Sequence, residues 1–222
     1  MFENCLNFII ILQCCVFIIN SKGESNMHQF ESGIQSNVLQ NIFFPQVSSK
    51  SWNCVQQMLL ILAGVCTLAI SAQLSIPFYP VPLTFQSATV ILIGLAYGAR
   101  YAASVVLVYL LSGAMGMPIF ANFSFGWQIF LDPAAGYLLG FLPAAILSGY
   151  LAEKGMAIKI WHSFFAALLS ALVIFSCGVF VLTKFFSFNL ALQYGFYPFV
   201  ISETIKLFAV ACCVPKFWKK TN

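Results

Sequence analysis

The sequence predicts an all-α membrane protein whose core is a bundle of six transmembrane helices. Hydrophobic residues make up 61% of the 222 residues and charged residues only 7%, and the mean hydropathy is +0.92. A water-soluble domain of this length carries more surface charge, so the chain is expected to cross the membrane several times. Six apolar stretches after residue 50, separated by prolines, glycines or charges, give the number of helices.

The chain is expected to divide into an N-terminal part, residues 1–50, and a six-helix domain, residues 51–218. Within the first part, the apolar run 6–19 is short for a membrane span and lacks the flanks of a secretory signal. We interpret it as an extra membrane-associated segment, an uncleaved leader, or the product of a start codon assigned too far upstream. Residues 21–50 are rich in Ser, Asn and Gln, which is typical of a flexible linker.

The first span is predicted at Cys54–Leu74 and carries a strip of small side chains. Ala63, Thr67 and Ser71 follow one another at four-residue spacing, so they share one face of a helix. Small residues let another membrane helix approach closely. The strip therefore indicates either a contact inside the bundle or a contact with another protein.

A proline-dense break, residues 76–82, follows the first span and is predicted to form a stiff extended turn, because proline cannot continue a helix. The second span, Leu83–Tyr97, is short, and Gln86 is its one strongly polar side chain. Residues 98–100, which begin with Gly98, are predicted to form a tight turn into the third span, Tyr101–Met115.

Residues 116–133 are too rich in Gly and Pro for one helix and too aromatic for an ordinary solvated loop. Such a loop is typical of an interfacial anchor or of a lid over an apolar pocket. Its aromatic residues are Phe120, Phe123, Phe125, Trp127 and Phe130, interleaved with Asn122, Ser124, Gln128 and Asp132. The remaining spans are predicted at Ala134–Leu151, His162–Phe186 and Ala191–Val214.

The distribution of basic residues predicts the orientation of the six-helix core in the cell membrane. Seven basic residues fall at one side of the bundle and only Lys184 at the other. Cytoplasmic loops carry the excess of Lys and Arg, so both ends of the core are expected in the cytoplasm. These charges therefore mark topology and do not indicate nucleic-acid binding. The seven are Lys50, Arg100, Lys154, Lys159, Lys216, Lys219 and Lys220.

Two charges lie within the apolar run Tyr197–Val214. Glu203 and Lys206 are three residues apart, which puts both on one face of a helix. An ionisable group inside a bilayer costs about 2.5–3.5 kcal/mol on insertion scales, so it usually marks a ligand site or a transport pathway. The alternative is an ion pair that only lets the helix tolerate its charges. The predicted topology places Glu203 in the outer half of the membrane.

The polar groups expected on the outer side favour binding over catalysis. The sequence contains no paired carboxylates, histidine cluster, nucleophile elbow or phosphate-binding loop, so we predict no catalytic residue, metal ligand or cofactor. The eight cysteines lack metal-ligand spacing and are interpreted as small apolar fillers. The expected pocket suits a small ligand with a ring, amides and a carboxylate. Its residues are Glu203, Lys206, Gln86, Asn122 and Tyr137.

Four motifs within about residues 52–218 resemble the BioY family, the biotin-binding S components of energy-coupling factor (ECF) transporters. They are V-P-L-T-F-Q (81–86), G-A-R-Y-A-A (98–103), Y-L-L-S-G-A-M-G-M-P-I-F-A (109–121) and G-Y-L-L-G-F (136–141). The resemblance implies an S-component fold with a biotin site open to the outside. It also implies a transmembrane coupling protein and ATP-hydrolysing subunits as partners, with Ala63, Thr67 and Ser71 contacting the coupling protein.

The sequence also departs from the family pattern. The last span of the family carries G-D-x-x-K, whose Asp and Lys engage the ligand, whereas here Ser202 and Glu203 precede Lys206. The family's G-P-T-G-G-Y is D-P-A-A-G-Y at residues 132–137, and bulky residues replace its glycine-rich outer loop at 122–127.

The leading hypothesis is capture of biotin at the outer face. The ureido ring would bind Glu203 and Asn122, the bicycle would lie against Phe120 or Tyr137, and Lys206 would meet the remaining polar end. Two alternatives stay open, namely an S component for another vitamin and a solitary ion-coupled carrier with Glu203 as the proton-binding group. An enzyme would need a catalytic set that the sequence lacks.

Overall fold

The structure is a computed structural model that describes residues 50–76 and 78–218, and side chains within 55–76 and 78–215. The predicted N-terminal segment and linker lie outside the described residues, apart from Lys50. The described residues form seven α-helices and one short hairpin of strands. The helices are α1 (Lys50–Gln73), α2 (Gln86–Tyr97), α3 (Ala99–Ala114), α4 (Ala135–Leu151), α5 (Ile160–Leu182), α6 (Phe188–Gly195) and α7 (Tyr197–Trp218).

The predicted six-helix membrane bundle is confirmed. Four helical stretches are long and apolar enough to cross a membrane, and α2 and α3 are shorter apolar helices of 12 and 16 residues. A multi-pass membrane protein follows from these lengths. The four long stretches are Val55–Gln73, Ala135–Met156, Ile160–Leu182 and Phe188–Pro215.

The sixth predicted span is not one helix from Ala191 onward. Its first part belongs to α6, the backbone leaves the helical region at Phe196 (φ −123°, ψ −59°), and α7 starts at Tyr197. The physical reason is Pro198, which has no N–H to donate to the preceding turn and is therefore tolerated only near the start of a helix.

Two antiparallel strands of two residues each flank the proline-dense break and form a hairpin. Strand β1 (Ser75–Ile76) pairs with β2 (Leu83–Thr84), with Ser75 opposite Thr84. The N–H of Phe85 also donates to the carbonyl of Leu74 at 3.2 Å. The break therefore returns the chain to the end of α1 before α2 begins.

Glycines bring α4 close to its neighbours, as expected for membrane helices that pack through small residues. A Cβ at Gly136 would lie 2.5 Å from the Cys177 carbonyl oxygen on α5. A Cβ at Gly149 would lie 2.3 Å from the Ala99 nitrogen on α3. On α2, a Cβ at Gly94 would overlap the Ser148 hydroxyl. Helix α4 is thus held tightly between α2, α3 and α5.

Two turns that carry basic residues lie at the same end of the bundle, as the sequence indicated. The N–H of Ala99 donates to Oε1 of Glu153 at 2.9 Å, so the α2–α3 and α4–α5 turns lie at the same end. Arg100, Lys154 and Lys159 belong to this end. The assignment of this end to the cytoplasm stays a prediction.

The strip of small residues on α1 is only partly accessible. Ala63 and Thr67 are exposed, whereas Ser71 is buried and donates to the Leu68 carbonyl at 2.8 Å. Around the strip, α1 exposes Leu59 and Ile70. A partner helix on this face would therefore reach Ala63 and Thr67 but not Ser71.

Candidate functional site

Glu203 and Lys206 lie together on α7, as their spacing predicted. Glu203 is only 4% exposed, and the Lys206 ammonium forms an ion pair with its Oε1. Both side chains point into the bundle, since the two are no more than 9% exposed. A buried charge must be paired and hydrogen-bonded to be tolerated, and each of these charges has such partners.

The pair is joined to the start of α2 and to the hairpin. The hydroxyl of Ser87 lies 2.9 Å from both carboxylate oxygens of Glu203. The Lys206 ammonium donates to the Thr84 carbonyl at 2.8 Å and lies 5.4 Å from the centre of the Phe85 ring. Ser87 is the second residue of α2, so the carboxylate lies near the positive end of that helix dipole.

A cavity of about 40 Å³ lies beside Glu203, between the hairpin and helices α4, α5 and α7. Its walls are apolar and aromatic, and its polar side-chain groups are the Glu203 carboxylate and the hydroxyls of Thr84, Ser87 and Tyr137. This combination is typical of a site for a small organic ligand, whose rings contact the walls and whose polar atoms meet the few fixed partners. The lining residues are Val81, Pro82, Thr84, Ser87, Tyr137, Phe141, Ile174, Phe175, Phe199 and Glu203.

Tyr137 forms part of the cavity wall and is held in one orientation. Its hydroxyl donates to the Gly195 carbonyl at 2.7 Å, at the end of α6. Its ring is stacked on Phe199, with centroids 6.1 Å apart and planes inclined by 22°. On the α5 side, a Cβ at Gly178 would lie 2.3 Å from a ring carbon. The ring is therefore fixed between α5 and α7.

Four residues predicted for the pocket do not line this cavity. Lys206 contacts the lining residues Glu203 and Thr84 without lining the cavity itself, and the other three lie elsewhere. Gln86 donates to the Tyr109 hydroxyl, which in turn donates to the Ile119 carbonyl at 3.0 Å. Phe120 is 1% exposed and packs edge-to-face on Tyr109, with centroids 5.3 Å apart. Asn122 is exposed and its side-chain oxygen accepts a hydrogen bond from Ser75 at 3.3 Å. These contacts fasten the aromatic loop to the hairpin and to α3.

The aromatic loop forms two short 3₁₀ turns, Ala121–Phe123 and Trp127–Leu131, and lies at the rim of the bundle. No residue of 116–133 lines the cavity beside Glu203. Phe123, Phe125 and Trp127 are 58–68% exposed. Exposed aromatic rings at the end of membrane helices are typical of anchors at the membrane–water interface. The geometry therefore favours the interfacial anchor over the lid.

Sequence reasoning missed Ser87 and the three phenylalanines of the cavity wall. Ser87 directly follows the V-P-L-T-F-Q motif, which was a local signal for it. Phe141 ends the G-Y-L-L-G-F motif, which was a local signal for it, whereas Phe175 and Phe199 lie in apolar runs where aromatic residues are common and nothing in the sequence singled them out. Among the residues that the structure describes, no three His, Cys, Asp or Glu lie close enough to hold a metal ion.

Gln73 fastens the aromatic loop with both ends of its amide. Its nitrogen donates to the Phe120 carbonyl at 2.9 Å, and its oxygen accepts from the Phe123 N–H at 3.2 Å. A Gln73→Met variant loses both bonds, each worth about 1 kcal/mol net. We therefore expect amide hydrogen exchange at Phe123 to rise by about tenfold. The control is Gln128→Met on the same loop, and equal exchange in both variants would contradict the role of Gln73.

Comparisons with known proteins agree with this architecture. The sequence model of the BioY family matches residues 41–222. The chain is 40% identical to the biotin transporter BioY of Thermotoga maritima over 156 residues, 68% of this chain and 90% of that protein. It is 29% identical to the probable biotin transporter BioY of Rickettsia prowazekii over 176 residues, 78% of this chain and 87% of that one.

The fold is similar to a crystal structure of the S component for biotin from an ECF-type ABC transporter. The TM-score is 0.70 at 20% sequence identity, and the match covers 78% of this chain and 95% of that one. This likeness supports the bundle architecture, since it extends over nearly all of the solved protein. With a family match that spans residues 41–222 and a relative that is 40% identical over 90% of its own length, the chain belongs to the BioY family.

Proposed function

We propose that this chain is the substrate-binding membrane component of a biotin uptake transporter. The observation that carries the proposal is the buried Glu203–Lys206 pair beside a cavity with aromatic walls. Relatives in the same family are named biotin transporters. A carboxylate accepts N–H donors and an ammonium donates to a carbonyl, and a cyclic urea such as that of biotin offers both kinds of group.

The ligand contacts that we propose are Glu203, Lys206, Ser87 and Tyr137. The ureido N–H groups would donate to the Glu203 carboxylate, and the ureido carbonyl would accept from Lys206 or Ser87. The sulfur-containing ring would lie against Tyr137. Gln86, Asn122 and Phe120 contact other parts of the protein and would act indirectly, by holding the loops around the site.

Biotin binding requires the hairpin to move away from the cavity. The volume of about 40 Å³ is well below the roughly 300–1,000 Å³ of typical ligand pockets. Val81, Pro82 and Thr84 form one wall, and Thr84 is tied to α7 through its hydrogen bond from Lys206. We propose that the ligand replaces the Thr84 carbonyl as the partner of Lys206, which releases the hairpin.

We propose that transport depends on a transmembrane coupling protein and ATP-hydrolysing subunits. The sequence has no phosphate-binding loop of its own, so the energy for uptake must come from elsewhere. Ala63 and Thr67 on the exposed face of α1 are the proposed contact with the coupling protein. The end of the bundle with Arg100 and Lys154 would face the cytoplasm, and the hairpin end would face outward.

Equilibrium binding to the purified full-length chain in detergent tests the proposal. We expect saturable binding of one biotin per chain that neither thiamine nor riboflavin displaces. Tighter binding of another vitamin would overturn the assignment of biotin. Uptake by cells that lack every partner ATPase, abolished by an uncoupler, would instead indicate an ion-coupled carrier.

A further inference from the structure

A second cavity opens on the outer surface of the bundle and shares one lining residue, Phe175, with the first. It is a groove of about 420 Å³ between α5, the short helix α6 and the residue that follows α6. Its walls are almost entirely apolar. The lining residues are Leu172, Phe175, Ser176, Val179, Phe180, Thr183, Phe188, Leu192 and Phe196.

The side chains that line the groove offer no free hydrogen-bond donor to a polar ligand. The hydroxyl of Ser176 donates to the Leu172 carbonyl at 2.7 Å, and that of Thr183 donates to the Phe180 carbonyl at 2.7 Å. Phe180 and Phe188 are 69% and 63% exposed, so the groove opens toward the surroundings of the bundle. In a membrane-spanning protein those surroundings are hydrocarbon, and the groove therefore suits an apolar chain.

A cation lies where the apolar groove ends. Thr183 lines the groove, and Lys184 is the next residue, in the turn that follows α5. Lys184 is exposed, and no carboxylate within residues 55–76 and 78–215 forms an ion pair with it. The surface thus changes from apolar to cationic in the turn 183–187 at the end of α5, which is where the membrane–water interface is expected.

We propose that this groove binds an anionic phospholipid of the surrounding bilayer. One acyl chain lies in the groove between α5 and α6, and the lipid phosphate pairs with Lys184. An amphiphile fits this surface because the surface changes polarity once, from an apolar groove to the Lys184 cation. The bound chain also supports α6, whose Gly195 carbonyl accepts the Tyr137 hydroxyl. The lipid site is thereby connected to the wall of the first cavity.

The test uses the full-length chain in detergent and native mass spectrometry with phosphatidylglycerol or phosphatidylcholine of identical acyl chains. We expect phosphatidylglycerol to be retained about fivefold more strongly, as one lysine near an anionic headgroup provides. Lys184→Gln should remove this preference. Lys159→Gln, which neutralises an exposed lysine at the opposite end, should leave it unchanged. Equal retention of both lipids by the native chain would overturn the proposal, as would an equal effect of the two lysine variants.

A second variant tests the groove separately from the charge. Ser176 is exposed and lies along the groove, so Ser176→Phe fills it from the lipid side without burying a polar group. We expect this variant to lose retention of both lipids. Full retention by Ser176→Phe would show that the lipid binds elsewhere, which overturns the site. Neither variant touches Glu203 or Lys206, so biotin binding reports separately on the proposed function.

Discussion

Replacing Glu203 with glutamine is expected to weaken biotin binding by more than about thirtyfold. Glutamine keeps the volume of the side chain but removes the negative charge, so Lys206 stays buried without its counter-charge. The proposed ureido N–H groups also lose their charged acceptor. A hydrogen bond to a charged group is worth about 1.5–3 kcal/mol, and each 1.4 kcal/mol is a factor of about ten in Kd. Titration of biotin into purified native and variant protein measures the difference.

Two further variants separate a binding effect from a folding effect. Glu153→Gln changes a carboxylate at the opposite end of the bundle, and we expect native affinity for biotin. Glu203→Gln combined with Lys206→Met removes the whole ion pair, so thermal stability should recover while binding stays lost. Biotin binding by Glu203→Gln that matches the native protein would show that the carboxylate does not contact the ligand.

The sequence was sufficient to predict the pair on α7 because the interaction is local. Glu203 and Lys206 are one helical turn apart, so their proximity depends only on the helix and not on the rest of the fold. The apolar spans were predictable for a similar reason, since membrane thickness fixes the length of an apolar helix. The short helix α6 was missed because its residues continue the same apolar run as α7 and Pro198 was not used as a boundary.

The partners of the pair on other helices could not be predicted in this way. Ser87 contacts Glu203 across 116 positions of the chain, and its neighbour Gln86 turns to Tyr109 instead. Consecutive residues of an α-helix point about 100° apart, so the choice between them depends on how α2 is rotated. That rotation follows from its packing on α3 and α4, where Gly94 fits against Ser148.

Replacing Gly149 with alanine is expected to destabilise the bundle by about 2 kcal/mol or more. The new Cβ would lie 2.3 Å from the nitrogen of Ala99 and 2.5 Å from its Cα. Both atoms belong to the backbone, so no side-chain rotation relieves the overlap, and α3 and α4 must separate. Alanine favours the helix over glycine by about 1 kcal/mol, which is less than the cost of overpacking. The separation would also stretch the hydrogen bond from Ala99 to Glu153.

Thermal unfolding of the purified variant in detergent measures this loss, and biotin binding shows where it acts. Gly149 contacts the turn that follows α2, whereas Ser87 lies at the start of α2. The two ends of α2 are about 15–18 Å apart, so the folded fraction should bind biotin with native affinity. Ile146→Ala, which shortens a 44% exposed side chain one turn earlier on α4, should unfold near the native temperature. Unchanged stability of Gly149→Ala would mean that α3 and α4 are farther apart than these backbone distances indicate. Gly149→Ala is thus expected to lower stability and keep the affinity for biotin, because it alters helix packing. Glu203→Gln combined with Lys206→Met is expected to do the opposite, because it alters the ligand site.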